Sequence, residues 1–457
     1  MTANSSLHDR LQAAVAAGQL LPSSAKNIAD LLAQSRSEVD RASVEELVNA
    51  GAWDELNDRF FKTLAFGTGG LRGRTIGKIV TQAERGTPQP LGRPEHACVG
   101  TNAMNAFNIS RATQGLVAYL KEWYAREGLS GRPKIVIAYD TRHFSRDFAE
   151  LTARVASENG CDVVLFSQPR STPELSFAVR YTKASAGIVL TASHNPPHDN
   201  GYKVYFNDGA QVVEPHASGI IAKVNGLASV DYTPLPPDQQ GKIVSMDETI
   251  DAAYMRRLQT LVLRPELIQS SDLKIVYTPI HGTGGQISIP ILKQLGFSVC
   301  VVEEQAGFDG RFPTVKSPNP ENAEALSLGI ALAKRENADV VIATDPDCDR
   351  MGVAIRNTNG EMELLTGNQI GSLLAWYRVT TLIEQGILTP ENIHRAVVIK
   401  TFVTTDLQKA IAHRHGIRCV ETLTGFKYIG AKMGKYEAAL PPVVRQNYRE
   451  LPESETR

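Results

Sequence analysis

The chain carries no excess of either charge: 48 lysines and arginines stand against 49 aspartates and glutamates. A balanced surface makes no overall field that draws a protein onto nucleic acid or an anionic membrane, so neither partner is expected and any charge that matters is local. Cysteine is scarce as well. The five thiols, Cys98, Cys161, Cys300, Cys348 and Cys419, are scattered, and no two have the C-x-x-C spacing of a zinc site or redox dithiol. Reduced thiols in a cytoplasmic protein are the expectation. No apolar run approaches the ~18 residues that span a bilayer, and the polar opening Met1-Thr-Ala-Asn-Ser-Ser-Leu-His lacks the charged-then-apolar plan of a secretory signal. There is no G-x-S-x-G elbow, which argues against an ordinary hydrolase serine.

What is present is a repeated order of elements. At 457 residues the chain exceeds the roughly 250 to 300 at which one core stops growing, so about three domains are expected. Residues 1–62 show helical spacing (Leu7, Leu11, Val15; Trp53, Leu56, Phe60) and read as a helical extension. Residues 63–230 read as a first module, in which the runs Lys134-Ile-Val-Ile-Ala-Tyr, Asp162-Val-Val-Leu-Phe and Ala186-Gly-Ile-Val-Leu alternate with helical stretches. The Pro-rich Thr233-Pro-Leu-Pro-Pro-Asp marks 231–270 as an exposed connection. A second module, 271–360, repeats the order, a third and incomplete one occupies 361–440, and 441–457 is a tail. This is an α/β chain of three similar modules with mixed, mainly parallel sheets. Each module sets a distinctive polar loop just after a strand, where ligands bind in open α/β sheets.

The first such loop is Thr191-Ala-Ser-His-Asn-Pro-Pro, where a buried strand gives way to residues that cannot continue regular structure. Ser193 is there either as a displayed nucleophile or as a serine that caps a turn. His194, with Lys203 in the glycine-bearing turn Asn200-Gly-Tyr-Lys, favours the first reading, because the group suits a phosphoryl anion and proton transfer. In the second module Asp345, Asp347 and Asp349 alternate with Pro346 and Cys348. Three such carboxylates converge on one hard cation such as Mg²⁺, or else mark an Asp-rich turn. Arg350 follows them, in position to face a phosphate. The cluster Phe66-Gly-Thr-Gly-Gly-Leu-Arg72-Gly reads as an anion nest or a structural turn, Arg142 as a phosphate ligand or a salt-bridge former. Lys427, in the strand-end loop Thr424-Gly425-Phe-Lys, is singled out by position alone.

Taken together, T-A-S-H-N-P-P with N-G-Y-K, then D-P-D-C-D-R, with G-T-G-G-L-R, Y-D-T-R and T-G-F-K, resemble the α-D-phosphohexomutase superfamily, closest to its phosphoglucomutase and phosphopentomutase branch. The resemblance implies a phosphosugar substrate, glucose 1-phosphate foremost, and a cycle in which Ser193 carries the phosphoryl group with a sugar 1,6-bisphosphate as activator. It implies Mg²⁺ held by an oxygen on Ser193 and by Asp345, Asp347 and Asp349. By the same resemblance Lys203 and Arg350 neutralise charge, His194 and Lys427 move protons, and Arg72, Arg142, Thr424 and Gly425 bind substrate. The family's Gly-Glu-Glu-Ser type loop and fourth, phosphate-gripping domain are not found before the chain stops at Glu450-Leu-Pro-Glu-Ser-Glu-Thr-Arg457. Weak turnover and exposed apolar surface on the third module are therefore expected. Two other readings stand beside this one: a haloacid-dehalogenase-like phosphatase with Asp345 as nucleophile, and a non-catalytic relative that binds Mg²⁺ and phosphosugar.

Overall fold

The computed structural model describes residues 6–35, 37–67, 69–227 and 229–447, without the side chains of 446 and 447. Four helices, α1 (Leu7–Ala16), α2 (Pro22–Gln34), α3 (Glu38–Asn49) and α4 (Trp53–Phe60), open the chain. They enclose their own core of Leu11, Ile28, Leu31, Val44, Leu47, Leu56 and Phe60. The helical extension expected from the apolar spacing is there.

The first module comprises β1 (Gly70–Arg74), α5 (Gln82–Arg85), α6 (Ala106–Arg126), β2 (Lys134–Tyr139), α7 (Ser145–Glu158), β3 (Asp162–Leu165), α8 (Thr172–Tyr181), β4 (Ala186–Leu190), β5 (Asp199–Phe206), α9 (His216–Asn225) and β6 (Ile243–Val244). Its six strands lie in the order β1-β5-β4-β2-β3-β6. Strand β2 shows why the sheet is covered on both faces. Ile135, Ile137 and Tyr139 join one core with α6, α7 and α9, while Val136 and Ala138 join another with α8. Both alternating sets are apolar, as a doubly covered sheet requires.

Four features depart from the sequence reading. The segment Asn200-Gly-Tyr-Lys is not a turn; it lies inside β5, antiparallel to β4 and to β1. A Cβ on Gly201 would lie 2.4 Å from the carbonyl of Thr191, so only glycine lets these strands approach. The glycine cluster that reads as an anion nest or a structural turn is in large part β1. Residues 231–270 are no bare connection, because β6 pairs with β3, and α10 (Asp247–Gln259) packs on α8. Helix α6, 21 residues long, lies where the sequence reading assigns no element.

After α10 and α11 (Pro265–Gln269), the second module runs β7 (Lys274–Thr278), α12 (Gly284–Leu295), β8 (Ser298–Val301), α13 (Glu303–Ala306), α14 (Ser327–Arg335), β9 (Val340–Thr344), β10 (Met351–Arg356) and β11 (Met362–Leu365), with sheet order β11-β10-β9-β7-β8. The third has α15 (Gly367–Glu384), β12 (Val397–Thr401), α16 (Leu407–Arg414), β13 (Arg418–Thr422), α17 (Phe426–Ala438) and α18 (Pro442–Asn447). Its described sheet is the parallel pair β12–β13. Apolar exposure expected on this module is present at Leu373, Trp376, Phe402 and Phe426. Helix α18 begins the stretch read as a tail, and residues 448–457 lie outside the described ones. No described helix is long and apolar enough to cross a membrane.

One buried ionic group ties the helical extension to the first module. Arg59 on α4 donates to Glu55 (2.8 Å), to Glu84 on α5 and to the carbonyls of Ile79 and Val99, while Glu84 also accepts the Val99 amide (2.8 Å) and the Ser43 hydroxyl (3.2 Å). Replacing Arg59 with Met strands two buried carboxylates, so urea denaturation of R59M should show a loss of about 3–5 kcal/mol. A change below about 1 kcal/mol would mean that water replaces the guanidinium at little cost.

Candidate functional site

Ser193 lies three residues past β4, with φ +54°, a left-handed conformation that non-glycine residues hold only when the surroundings over-determine it. The surroundings do. The Ser193 amide donates to Thr191 Oγ1 (2.8 Å), whose hydroxyl donates to Asp140 Oδ2 (2.6 Å). Arg142 reaches in from the loop after β2 and donates to the carbonyls of Ser193 (2.6 Å), Asn195 (2.5 Å), Pro196 (2.7 Å) and Asp199 (3.1 Å), with Asp140 at 3.3 Å. Its side chain is 0% exposed. Arg142 thus braces the serine loop through its terminal nitrogens, with its side chain buried beneath it.

The carboxylate loop follows β9 and faces Ser193 across the boundary between the two modules. Thr283 clamps it from behind, amide and hydroxyl both 2.9 Å from the Pro346 carbonyl. Gly282 allows the approach, since a Cβ there would lie 2.4 Å from Pro346 Cα. Asp345 Oδ1 accepts the amides of Asp349 (3.1 Å) and Arg350 (3.0 Å), and its Oδ2 accepts the Ser193 hydroxyl at 2.8 Å. Asp347 Oδ2 accepts Lys203 Nζ and Thr172 Oγ1, both at 2.6 Å, and Asp349 Oδ2 accepts Lys203 at 3.0 Å. Oxygens of the three carboxylates lie within 4.8 Å of one another.

Burial, then the neighbouring Asp347 and Asp349, pushes Asp345 well above the usual carboxylate range, and burial with Asp347 raises Asp349. Burial would also raise Asp347, but the Lys203 ammonium outweighs it and holds this carboxyl below the usual range. Lys203 is held above an ordinary lysine, because Asp347 and Asp349 outweigh the cost of burying it. His194 Nδ1 is 3.3 Å from Ser193 Oγ, and burial, then Arg350 and Arg72, lowers its pKa, so the ring is neutral near pH 7. One observation singles out a cation site among these groups: Asp347 Oδ1 is fully buried with no hydrogen-bond partner. A buried orphan oxygen beside two carboxyls raised by burial and by their like-charged neighbours fits a hard divalent cation with oxygen ligands.

The structure thus brings together Ser193, His194, Lys203, Asp345, Asp347 and Asp349. Arg72, on β1, borders the serine loop and donates to Asn195 Oδ1 (3.3 Å). Arg350 contributes its amide to Asp345, while its guanidinium lies 3.7 Å from Glu321. Thr424 and Gly425 precede α17 in the third module, and Lys427 Nζ stands 5.1 Å over the Tyr428 ring. Two residues were not legible in the sequence. Thr172 starts α8 in the first module, yet bonds Asp347 in the second; Ser317 of the second donates to the His194 carbonyl (2.9 Å) in the first. Ser171-Thr-Pro signals a helix start, but no local pattern tells which loop of another module that helix meets.

Matches to known proteins agree with this arrangement. Family models for phosphoglucomutase/phosphomannomutase α/β/α domains I, II and III match residues 96–230, 252–360 and 366–440. The chain belongs to this family, within the α-D-phosphohexomutase superfamily. It is 35% identical over 399 residues to a phosphoglucomutase of Staphylococcus epidermidis (strain RP62A), a match covering 86% of this chain and 66% of the relative. A phosphoglucomutase of Staphylococcus aureus (strain N315) is 35% identical over 383 residues, covering 83% and 62%. The chain thus spans somewhat less than two thirds of the length of these curated relatives. Among solved structures, one from Thermus thermophilus assigned to the phosphomannomutases superposes with TM-score 0.63 at 26% identity, covering 82% of this chain and 72% of that one. The Paramecium phosphoglucomutase parafusin shares the fold, with TM-score 0.56 at 20% identity over 82% and 64%.

A cation entering this cluster competes with the protons on Asp345 and Asp349. Calorimetry should therefore show Mg²⁺ affinity rising with pH above the ordinary carboxylate range, with proton release on binding. The linkage has a definite sign: raised carboxyl pKa values in the fold favour the neutral forms, so metal-free stability falls as pH rises above the unfolded carboxyl value of about 4. The melting-temperature gain on adding Mg²⁺ should widen over the same interval. Asp347→Asn should weaken Mg²⁺ by about tenfold or more with folding retained. Affinity unmoved by pH and by this substitution would place the cation elsewhere.

Proposed function

We propose that this chain performs phosphosugar mutase chemistry, with Ser193 as the phosphoryl carrier and glucose 1-phosphate to glucose 6-phosphate as the conversion. The observation that carries the reading is the Ser193 hydroxyl, presented on a strand-end loop and 2.8 Å from Asp345 in a three-carboxylate cluster. The names of the similar proteins, phosphoglucomutases from two staphylococci, support the substrate.

In the loading half, Ser193 Oγ attacks a phosphorus of glucose 1,6-bisphosphate, the bond from that phosphorus to the sugar oxygen breaks, and the sugar leaves as a monophosphate. The serine proton departs and one is delivered to the sugar oxygen, with neutral His194 and Lys427 as the candidate carriers. In the other half, a free sugar hydroxyl attacks the phosphoserine and regenerates Ser193. Mg²⁺, held by Asp345, Asp347, Asp349 and an oxygen on Ser193, would draw charge from the phosphoryl group. Lys203 balances the carboxylates behind it, and Arg350 and Arg72 offer guanidinium groups at the rim. Thr424 and Gly425 stand on the sugar side. Such transfer depends on position and charge neutralisation more than on covalent chemistry. A cytoplasmic location accords with the five free thiols and with sugar phosphates as substrates.

Incubation with labelled glucose 1,6-bisphosphate, followed by phosphopeptide mass spectrometry, should place the label on Ser193 and lose it in Ser193→Ala. Label on Asp345 would convert the reading to an aspartyl phosphatase. A coupled assay of glucose 1-phosphate conversion tests the full cycle, and binding without either label or turnover would leave a phosphosugar-binding protein.

A further inference from the structure

The two oxygens of Asp347 live in opposite circumstances. Its Oδ2 is saturated from the first module by Lys203 and Thr172, both at 2.6 Å, while Oδ1 is buried and bonded to nothing. Thr172 binds it twice over, since its amide also donates to the Asp347 carbonyl at 2.9 Å. The threonine is held in place in turn. It is the first residue of α8, capped by Ser171, whose hydroxyl accepts the Glu174 amide (3.2 Å), and it follows Arg170, which grips Asp251 on α10 by two bonds of 2.9 and 2.7 Å. A fixed helix end thus sets the torsion of a carboxylate on another module.

This geometry determines how many oxygens Asp347 can give to a cation. Mg²⁺ takes single oxygens in tight octahedral geometry, whereas Ca²⁺ is larger and readily accepts both oxygens of one carboxylate. With Oδ2 spoken for by two donors, only Oδ1 is on offer. We propose that Thr172 is a metal-selectivity determinant: by occupying Asp347 Oδ2 together with Lys203, it enforces one-oxygen ligation and so favours Mg²⁺ over Ca²⁺. Lys203 alone does not suffice, because its ammonium is shared with Asp349 and swings on a flexible stem. Thr172 sits on a capped helix end and is tied to Asp347 by its own amide as well, which fixes where its hydroxyl is offered. The inference rests on the three-carboxylate cation site and goes beyond it.

The test is calorimetric titration of the full chain with Mg²⁺ and, separately, with Ca²⁺, in wild type, Thr172→Val and Thr172→Ser. Valine keeps the shape and the backbone amide and deletes the hydroxyl alone; circular dichroism melts confirm that each variant is folded. In T172V, Mg²⁺ affinity should fall and Ca²⁺ affinity fall less or rise, lowering the Mg²⁺/Ca²⁺ preference by about tenfold, the worth of one hydrogen bond to a charged group. T172S should keep the wild-type preference. An unchanged ratio in T172V overturns the inference, as does a T172S variant that behaves like T172V. If wild type binds neither cation, the metal reading of the carboxylate cluster itself fails, and that result is distinct from a ratio that does not move.

Discussion

Three clustered carboxylates, two of them buried, share one ammonium, and much of the molecule is arranged around that shortfall of positive charge. The second module supplies Asp345, Asp347 and Asp349 on one loop; the first supplies Lys203, the Thr172 hydroxyl and amide, and the Ser193 hydroxyl. Neither module is satisfied alone. Without the first, the loop would hold like charges at short range with nothing opposite them; without the second, Lys203 would be a buried cation with no partner. The boundary between the modules is thus fixed by electrostatics at its centre.

The Arg59 group shows what the same chemistry looks like when it serves structure. There one guanidinium stands between two carboxylates, its remaining donors go to backbone carbonyls, and Glu84 receives an amide and a hydroxyl as well. Among the three aspartates, by contrast, one oxygen has no partner and two carboxyls are displaced upward in pKa. Satisfaction marks the structural cluster. The unmet valence sets the three-aspartate cluster apart from it, in the way a site for a hard cation requires.

Rigidity follows from the same economy of placement. Ser193 is held in a left-handed conformation by Arg142, Asp140 and Thr191, so its hydroxyl is offered at one position instead of many. Phosphoryl transfer rewards this, since alignment of the attacking oxygen carries much of the rate. The Arg142 guanidinium sits 5.1 Å from the ring of Phe312, so the serine loop and the second module share one buried support.

The sequence by itself determined the three modules, the strands ending in polar loops, and the identity of the serine and the three aspartates. Those are local properties: apolar runs of strand length, glycine and proline where regular structure stops, and carboxylates at alternate positions. It did not decide that Asn200-Gly-Tyr-Lys is a strand, because that segment's extended form depends on β1 and β4 on either side. It left Arg142 as a phosphate ligand or a salt-bridge former, because the carbonyls that the guanidinium meets come within reach only on folding. Thr172 and Ser317 were silent, since each acts on a loop more than 120 residues away in the chain. Tertiary structure alone decided which oxygen of Asp347 is left open, and the physical reason is that a hydrogen bond reads distance and direction in space, for which separation along the chain carries no information.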